Sequence, residues 1–308
     1  MCFSGGHTHT RILALRDDYL RYLKRRKYSP RTVKSCQNVL KSFILFIQGR
    51  GLERLQDVTL DDLDAYRLHL VDDRHYQTAS LVRYMQAVRG FFNWLADEQH
   101  IFNNPTETLK LPRPERKLQD VPTETDMKKL LAQPDTATPT GVRDRAFMEV
   151  AYSTGCRLNE MLRMNVFDPD IKQGYVRVLG KGRKERVVPL GKQAIYWLKQ
   201  YIPHARPKLL RDKTDQQALW VGDKLGRRHN LGIAEIAIRT YAEKAGLTIR
   251  VTPHSLRRAC ATHMLARGAH PVQIQMLLGH SSLRSLGQYL SVSITELRQA
   301  HERSKPGR

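Results

Sequence analysis

Very little in this 308-residue chain invites a disulfide, a zinc site or a membrane. Cys2, Cys36, Cys156 and Cys260 stand far apart with no C-x-x-C pair among them, so neither a disulfide framework nor structural zinc is indicated. No apolar run approaches the roughly 18 to 20 residues that span a bilayer, and no signal peptide opens the chain. Isolated thiols without a leader make the cytoplasm the expected compartment. Acidic residues are scarce too: 30 Asp and Glu stand against 52 Lys and Arg, a formal net charge of +22. The carboxylates are not clustered as a two-metal site would need. The opening MCFSGGHTHT offers two histidines and no further ligands, and no metal is expected there either. A Gly-Lys-Gly at Gly180 to Gly182 lacks the Walker spacing, which removes a nucleotide-binding loop.

What is abundant is positive charge, and it is uneven. Residues 123–308 carry 32 Lys and Arg against 16 Asp and Glu, whereas residues 1–104 carry 16 against 11. Such a chain favours a polyanion, and nucleic acid over a membrane. Its length suffices for two domains. Residues 1–10 lack periodicity and are expected to be disordered. Residues 11–104 read as a helical domain. Ile12, Leu15, Tyr19, Leu20 and Leu23 share one helical face, and Ser29-Pro30 restarts a helix with the stripe Val33, Cys36, Leu40, Phe43, Ile44 and Ile47. Thr59 opens a third helix with Asp61 and Asp62 at its positive end. A fourth spans about 78–99. Four prolines make residues 105–122 an extended, semi-rigid linker. From 123 to 308 the pattern is mixed: helices near 123–133, 141–154 and 157–164, a hairpin at 175–190, then helices at 192–202 and 230–246. The fold class expected is mainly α with a small β-hairpin or sheet, in two domains able to clamp a duplex. Arg21, Arg25, Arg26, Arg31 and Lys34 offer phosphate contacts in the first domain, as do Arg183, Lys184 and Arg258 in the second. No base readout is assigned to any of them.

The stretch from Thr252 to Tyr289 organises the second half. Thr252-Pro253 is a helix start, with a capping hydroxyl followed by proline at the first helical position. His254 and Arg257 then lie three apart in the first turn, on one face. The apolar run ending at Leu278 stops at Gly279, suited to a left-handed cap, and His280 follows on the turn. Tyr289 comes one short helix later. Upstream, Arg157 follows the helix stop at Gly155, with Glu160 three residues on to hold its guanidinium. Lys181 occupies the tip of the Gly-Lys-Gly hairpin. Taken singly, each of these residues has an ordinary explanation as a cap, a solvated charge or a core phenol. Together, two imidazoles, several cations and a phenol suit an anionic substrate and a tyrosine nucleophile.

In this order and spacing, Arg157, Lys181, the HSLRR run from His254 to Arg258, the LGH at His280, and Tyr289 resemble the signature of the tyrosine site-specific recombinases. This is the phage integrase family, and the resemblance is to its Xer-like and transposon-integrase branch. It covers nearly all the chain after residue 10. It implies a helical core-binding domain over 11–104 and an α+β catalytic domain over 123–308, with a C-terminal tail from about residue 291. It further implies that Tyr289 attacks a scissile phosphate, leaving a 3′-phosphotyrosyl link and a free 5′ hydroxyl. Arg157 and Arg257 would neutralise the non-bridging oxygens, and His280 would donate a hydrogen bond to them. His254 would take the tyrosine proton and Lys181 would protonate the leaving oxygen. One ester replaces another, so neither ATP nor a metal is required and no cofactor is expected. Strand exchange through a four-way Holliday junction then follows, on double-stranded DNA bearing a specific site, in integration, excision or resolution.

The implied assembly is a homotetramer on two DNA sites, with room for an accessory or partner recombinase, at the bacterial nucleoid. The tail helix at 293–301 presents an edge of Ile294 and Leu297, to be donated to a neighbouring protomer or folded onto its own domain. Two departures from the Xer pattern stand out. Leu290-Ser291 replaces the usual Thr-His after the tyrosine, and Gly287 weakens the tyrosine's helix by about 1 kcal/mol relative to alanine. Two other readings remain open on sequence grounds: a topoisomerase-like enzyme that nicks and closes one duplex, and a catalytically idle DNA-binding protein.

Overall fold

The computed structural model describes residues 5–112, 120–180, 185–210, 216–222 and 226–279, with side chains from residue 11. The chain divides into two compact units, Met1–Lys117 and Leu118–Arg308.

The first unit is a helical bundle: α1 (Gly5–Arg25), α2 (Pro30–Gly49), α3 (Leu60–Asp72) and α4 (Thr78–Asp97). Local chemistry sets its boundaries. The Ser29 hydroxyl accepts from the Thr32 amide at 3.1 Å, with Pro30 at the first helical position. Thr59 and Asp62 form a reciprocal capping box, satisfying two amides that the helix start leaves without partners. The apolar stripes meet in an aromatic core: Phe43 lies edge-on to Tyr66 and Phe92, and all three are fully buried. Truncating such a phenylalanine costs about 3–5 kcal/mol.

Two expectations need correction here. The first helix begins at Gly5 and not after residue 10; once the stripe from Ile12 nucleates it, extension costs little per residue. The linker is also shorter than 105–122. Leu109 is buried in the first core, the Asn104 side chain accepts from the Thr106 amide and hydroxyl, and Arg89 donates to the Leu109 carbonyl.

The second unit is built around α6 (Pro139–Thr154), which packs against α8 (Lys192–Gln200) and α11 (Pro253–Ala266) and is buried around most of its circumference. Before it comes α5 (Glu124–Leu131) and after it α7 (Leu158–Arg163). The sheet is antiparallel in the order β1 (Pro169–Asp170), β2 (Tyr175–Leu179), β3 (Glu185–Pro189). Val176 pairs with Val188, and Val178 with Arg186. The helix expected at 192–202 continues to Leu210, through a π turn at Tyr201–Ala205 into α9 (Arg206–Leu210). Pro203 supplies no amide to an α ladder, and the wider register carries the chain past it. Then follow α10 (Leu231–Lys244), α11 and α12 (Pro271–Leu278). Among the described residues no helix is long and apolar enough to cross a membrane.

Candidate active site

Three chain segments converge at the C-terminal ends of α6 and α12. Gly155 ends α6 at φ +58°, and a Cβ there would fall 2.5 Å from the Leu278 side chain, so the stop and the close approach both require glycine. Arg157 follows as the cap of α7. Its amide donates to Glu160 Oε2 at 2.9 Å, and its guanidinium donates to Glu160 Oε1 at 2.9 Å. The Arg157 side chain remains 46% exposed while that of Glu160 is 6% exposed, so the buried carboxylate anchors a cation that still faces solvent.

Helix α11 starts as its sequence dictates. The Thr252 hydroxyl accepts from the Ser255 amide at 3.2 Å, and Pro253 holds the first helical position. His254 is exposed, whereas Arg257, one turn on, is 2% exposed. The two residues share a helical face in spacing but differ in depth. Arg257 donates to the Gly155 carbonyl at 2.6 Å and to the Leu278 carbonyl at 2.7 Å. Both acceptors belong to helix C-termini, where unpaired carbonyls and the macrodipole favour a cation. The guanidinium is therefore fixed before any substrate arrives.

Burial first, and then the guanidiniums of Arg258, Arg257 and Arg157, hold the His254 imidazole below its ordinary value, although part of the ring stays open to solvent. The pair Glu160 and Arg186 was not singled out from the sequence as a unit. Arg186 on β3 donates to Glu160 Oε2 at 2.7 Å and to Oε1 at 3.2 Å. Burial raises the Glu160 carboxyl, but the hydrogen bonds from Arg186 and from the Arg157 amide outweigh it and leave the group below the usual carboxylate range. Breaking such a buried pair by removing one partner costs about 3–5 kcal/mol, since the other charge is left uncompensated. The alternation of β3 carried a signal for this residue: Arg186 lies on the same strand face as buried Val188.

Of the residues expected in the site, the structure brings together Arg157, Glu160, His254 and Arg257. Lys181, His280 and Tyr289 lie outside the described residues, as do Arg183, Lys184 and the tail. Among the expected phosphate contacts, Arg21, Arg25, Arg26, Arg31 and Lys34 are exposed near the end of α1 and the start of α2. Arg21 is paired with Asp18. Arg258 is different: it is 8% exposed and donates to the Asp120 carbonyl at 2.8 Å, tying the entry of the second unit to α11.

Comparison with known proteins finds matches over both units. The phage integrase family model matches residues 121–296, and the phage integrase N-terminal SAM-like domain matches residues 17–99. Tyrosine recombinase XerC of Oceanobacillus iheyensis is 35% identical over 292 residues, 94% of this chain and 95% of that protein. The XerH site-specific recombinase, solved on a palindromic difH substrate in a post-cleavage complex, shares the fold at a TM-score of 0.75 and 19% identity, covering 95% of both chains. A lambda integrase tetramer solved on a Holliday junction matches at a TM-score of 0.67 and 20% identity, covering 88% of this chain and 77% of that one. With both domains matched in order and a full-length relative above 30% identity, this chain belongs to the phage integrase family, among its Xer-like tyrosine recombinases.

Proposed function

We propose that this protein is a site-specific DNA recombinase in which Tyr289 attacks a scissile phosphate held by Arg157, Arg257 and His280. The observation that carries the reading is the pair of arginines at the joined ends of α6, α7 and α12, one locked by helix carbonyls and one by Glu160. Charge develops on the non-bridging oxygens during attack, and donors fixed in advance stabilise it without reorganisation. The lowered His254 imidazole is neutral near pH 7 and can accept the phenol proton. Lys181 then gives a proton to the departing 5′ oxygen. The phosphorus–oxygen bond to the 5′ side breaks as the bond to the Tyr289 oxygen forms, so the ester is conserved. A 5′ hydroxyl from a second duplex reverses the step and exchanges strands.

The full-length match to Xer recombinases favours strand exchange over a nicking and closing enzyme or an idle binding protein. A tetramer on two DNA sites, exchange of the tail between protomers, service from a partner or accessory recombinase, and a place at the bacterial nucleoid belong to the same reading. It is tested by covalent capture from a library of nicked duplexes randomised at the centre. The wild-type protein is expected to become linked to a DNA 3′ end, and the Tyr289→Phe variant to bind the captured duplex without linking. Covalent linkage by Tyr289→Phe would overturn the nucleophile.

A further inference from the structure

The guanidinium of Arg186 meets two segments that are distant in sequence, around Glu160 and around Leu277. It grips Glu160 with two hydrogen bonds, and its Nε donates to the Leu277 carbonyl at 3.2 Å. Its second terminal nitrogen also lies 3.8 Å from Cys156 Sγ, beside Arg157 in the chain. A Cβ built on Gly279 would stand 3.1–3.2 Å from the same guanidinium, so the turn at Gly279, at φ +65°, lies directly against it. Leu277 and Leu278 thus give their carbonyls to two different arginines, Arg186 and Arg257, at the end of α12. Arg186 itself sits on β3, paired with Val178 of β2, and the segment joining those two strands contains Lys181.

From this geometry we infer that Arg186 is a positioning residue: it fixes Arg157 through Glu160 and pins the turn that precedes His280, so that the β2–β3 hairpin and the phosphate-binding cations are held as one unit. The inference rests on the recombinase reading above. Arg186 is 16% exposed and donates to Glu160, the Leu277 carbonyl and Cys156, so it acts on the phosphate through Arg157 and the α12 turn. A planar fork is needed, because two carboxylate oxygens and a carbonyl are engaged from one group. Lysine brings the charge without that geometry.

The test uses the full-length protein and the duplex captured above, synthesised with either an ordinary phosphate or a methylphosphonate at the scissile position. Replacing a non-bridging oxygen by methyl removes the negative charge that Arg157 would neutralise. On phosphate, Arg157→Ala and Arg186→Met are each expected to lose about 100-fold in single-turnover cleavage, the scale of one lost oxyanion donor. On methylphosphonate both losses should shrink to within about 10-fold of wild type. The double variant should be slower on phosphate than Arg157→Ala alone, but by well under the roughly 100-fold that Arg186→Met costs on its own, since the route through Arg157 is already lost and only the α12 turn remains. Thermal melting and DNA affinity are recorded for each variant. If Arg186→Met does not fold, Arg186→Lys keeps the charge beside Glu160 and is read by the same ratio. Equal loss on both substrates, no loss, or fully multiplied losses in the double variant would overturn the role. Failure of the wild-type protein to cleave either duplex would instead overturn the recombinase reading.

Discussion

In the first unit the arginines named for DNA contact, Arg21, Arg25, Arg26 and Arg31, all stand in solvent around a core that is almost wholly apolar. Among its described residues the buried polar or charged residues are Asp62 and Thr106. In the second unit Arg143, Arg206, Arg257 and Arg258 are buried, and each donates to a backbone carbonyl: Val221, Ala218, Gly155 with Leu278, and Asp120. Burying a charge is costly, and a well-packed apolar residue would serve stability as well or better. Under the proposed function, the difference between Arg257 and the surface arginines is a division of labour. A cation that only neutralises a phosphate in passing can remain hydrated and mobile, while one that meets charge developing in a reaction gains from being immobile beforehand.

The strongest way to break this comparison is to exchange the two kinds of loss. Arg257→Met is expected to slow single-turnover cleavage at saturating protein by about 100-fold or more, with little change in DNA affinity. Its two carbonyl acceptors lose their donor, so the melting temperature should fall as well. A variant that loses affinity but cleaves at the wild-type rate once saturated would show that the buried arginine is only another surface-type contact. The converse experiment is milder. Arg25→Gln with Arg31→Gln should weaken binding and make the slope of log affinity against log salt shallower by about 1.8, taking roughly 0.9 for each phosphate contact removed. Cleavage at saturation should stay at the wild-type rate; a matching drop in that rate would sink the division.

The parts of the fold that were legible beforehand are those decided within one turn of chain. Thr252-Pro253 and Ser29-Pro30 start helices, Gly155 and Gly279 stop them, and the Arg157–Glu160 pair needs only three residues of spacing. What stayed hidden depends on distance. Arg186 meets Glu160 across 26 residues and Leu277 across 91, and no local pattern encodes either meeting. The same holds for depth. Spacing put His254 and Arg257 on one face, but only the packing of α6 and α12 against α11 decides that one is exposed and the other enclosed. The two-residue strand β1 is too short for any alternation to register. Arg258 looked like a free phosphate contact beside Arg257, because nothing nearby in sequence announces that Asp120 would return to it.

A smaller effect sharpens the comparison further, through the titration of His254. With twelve histidines in the chain, its imidazole signal in an NMR titration must be assigned by comparison with His254→Gln. In the DNA-free protein its midpoint should lie below the ordinary 6.5, because burial and then Arg258, Arg257 and Arg157 all disfavour the charged ring. The sign for stability follows. The unfolded chain binds this proton more readily than the folded one, so the contribution to folding is intact above about 6.5 and is lost as pH falls through that value toward the folded midpoint. Under the proposed mechanism the same group must be neutral to accept the phenol proton, so the rate should decline on the acid side. Bound DNA changes the balance, because a phosphate among the same guanidiniums offsets their charge. In the Tyr289→Phe complex with DNA, which stops before chemistry, the midpoint should therefore move upward from its DNA-free position. A midpoint that starts at or above 6.5, or that stays put when DNA binds, would mean that the fixed cations of the second unit do not act together on one phosphate beside His254.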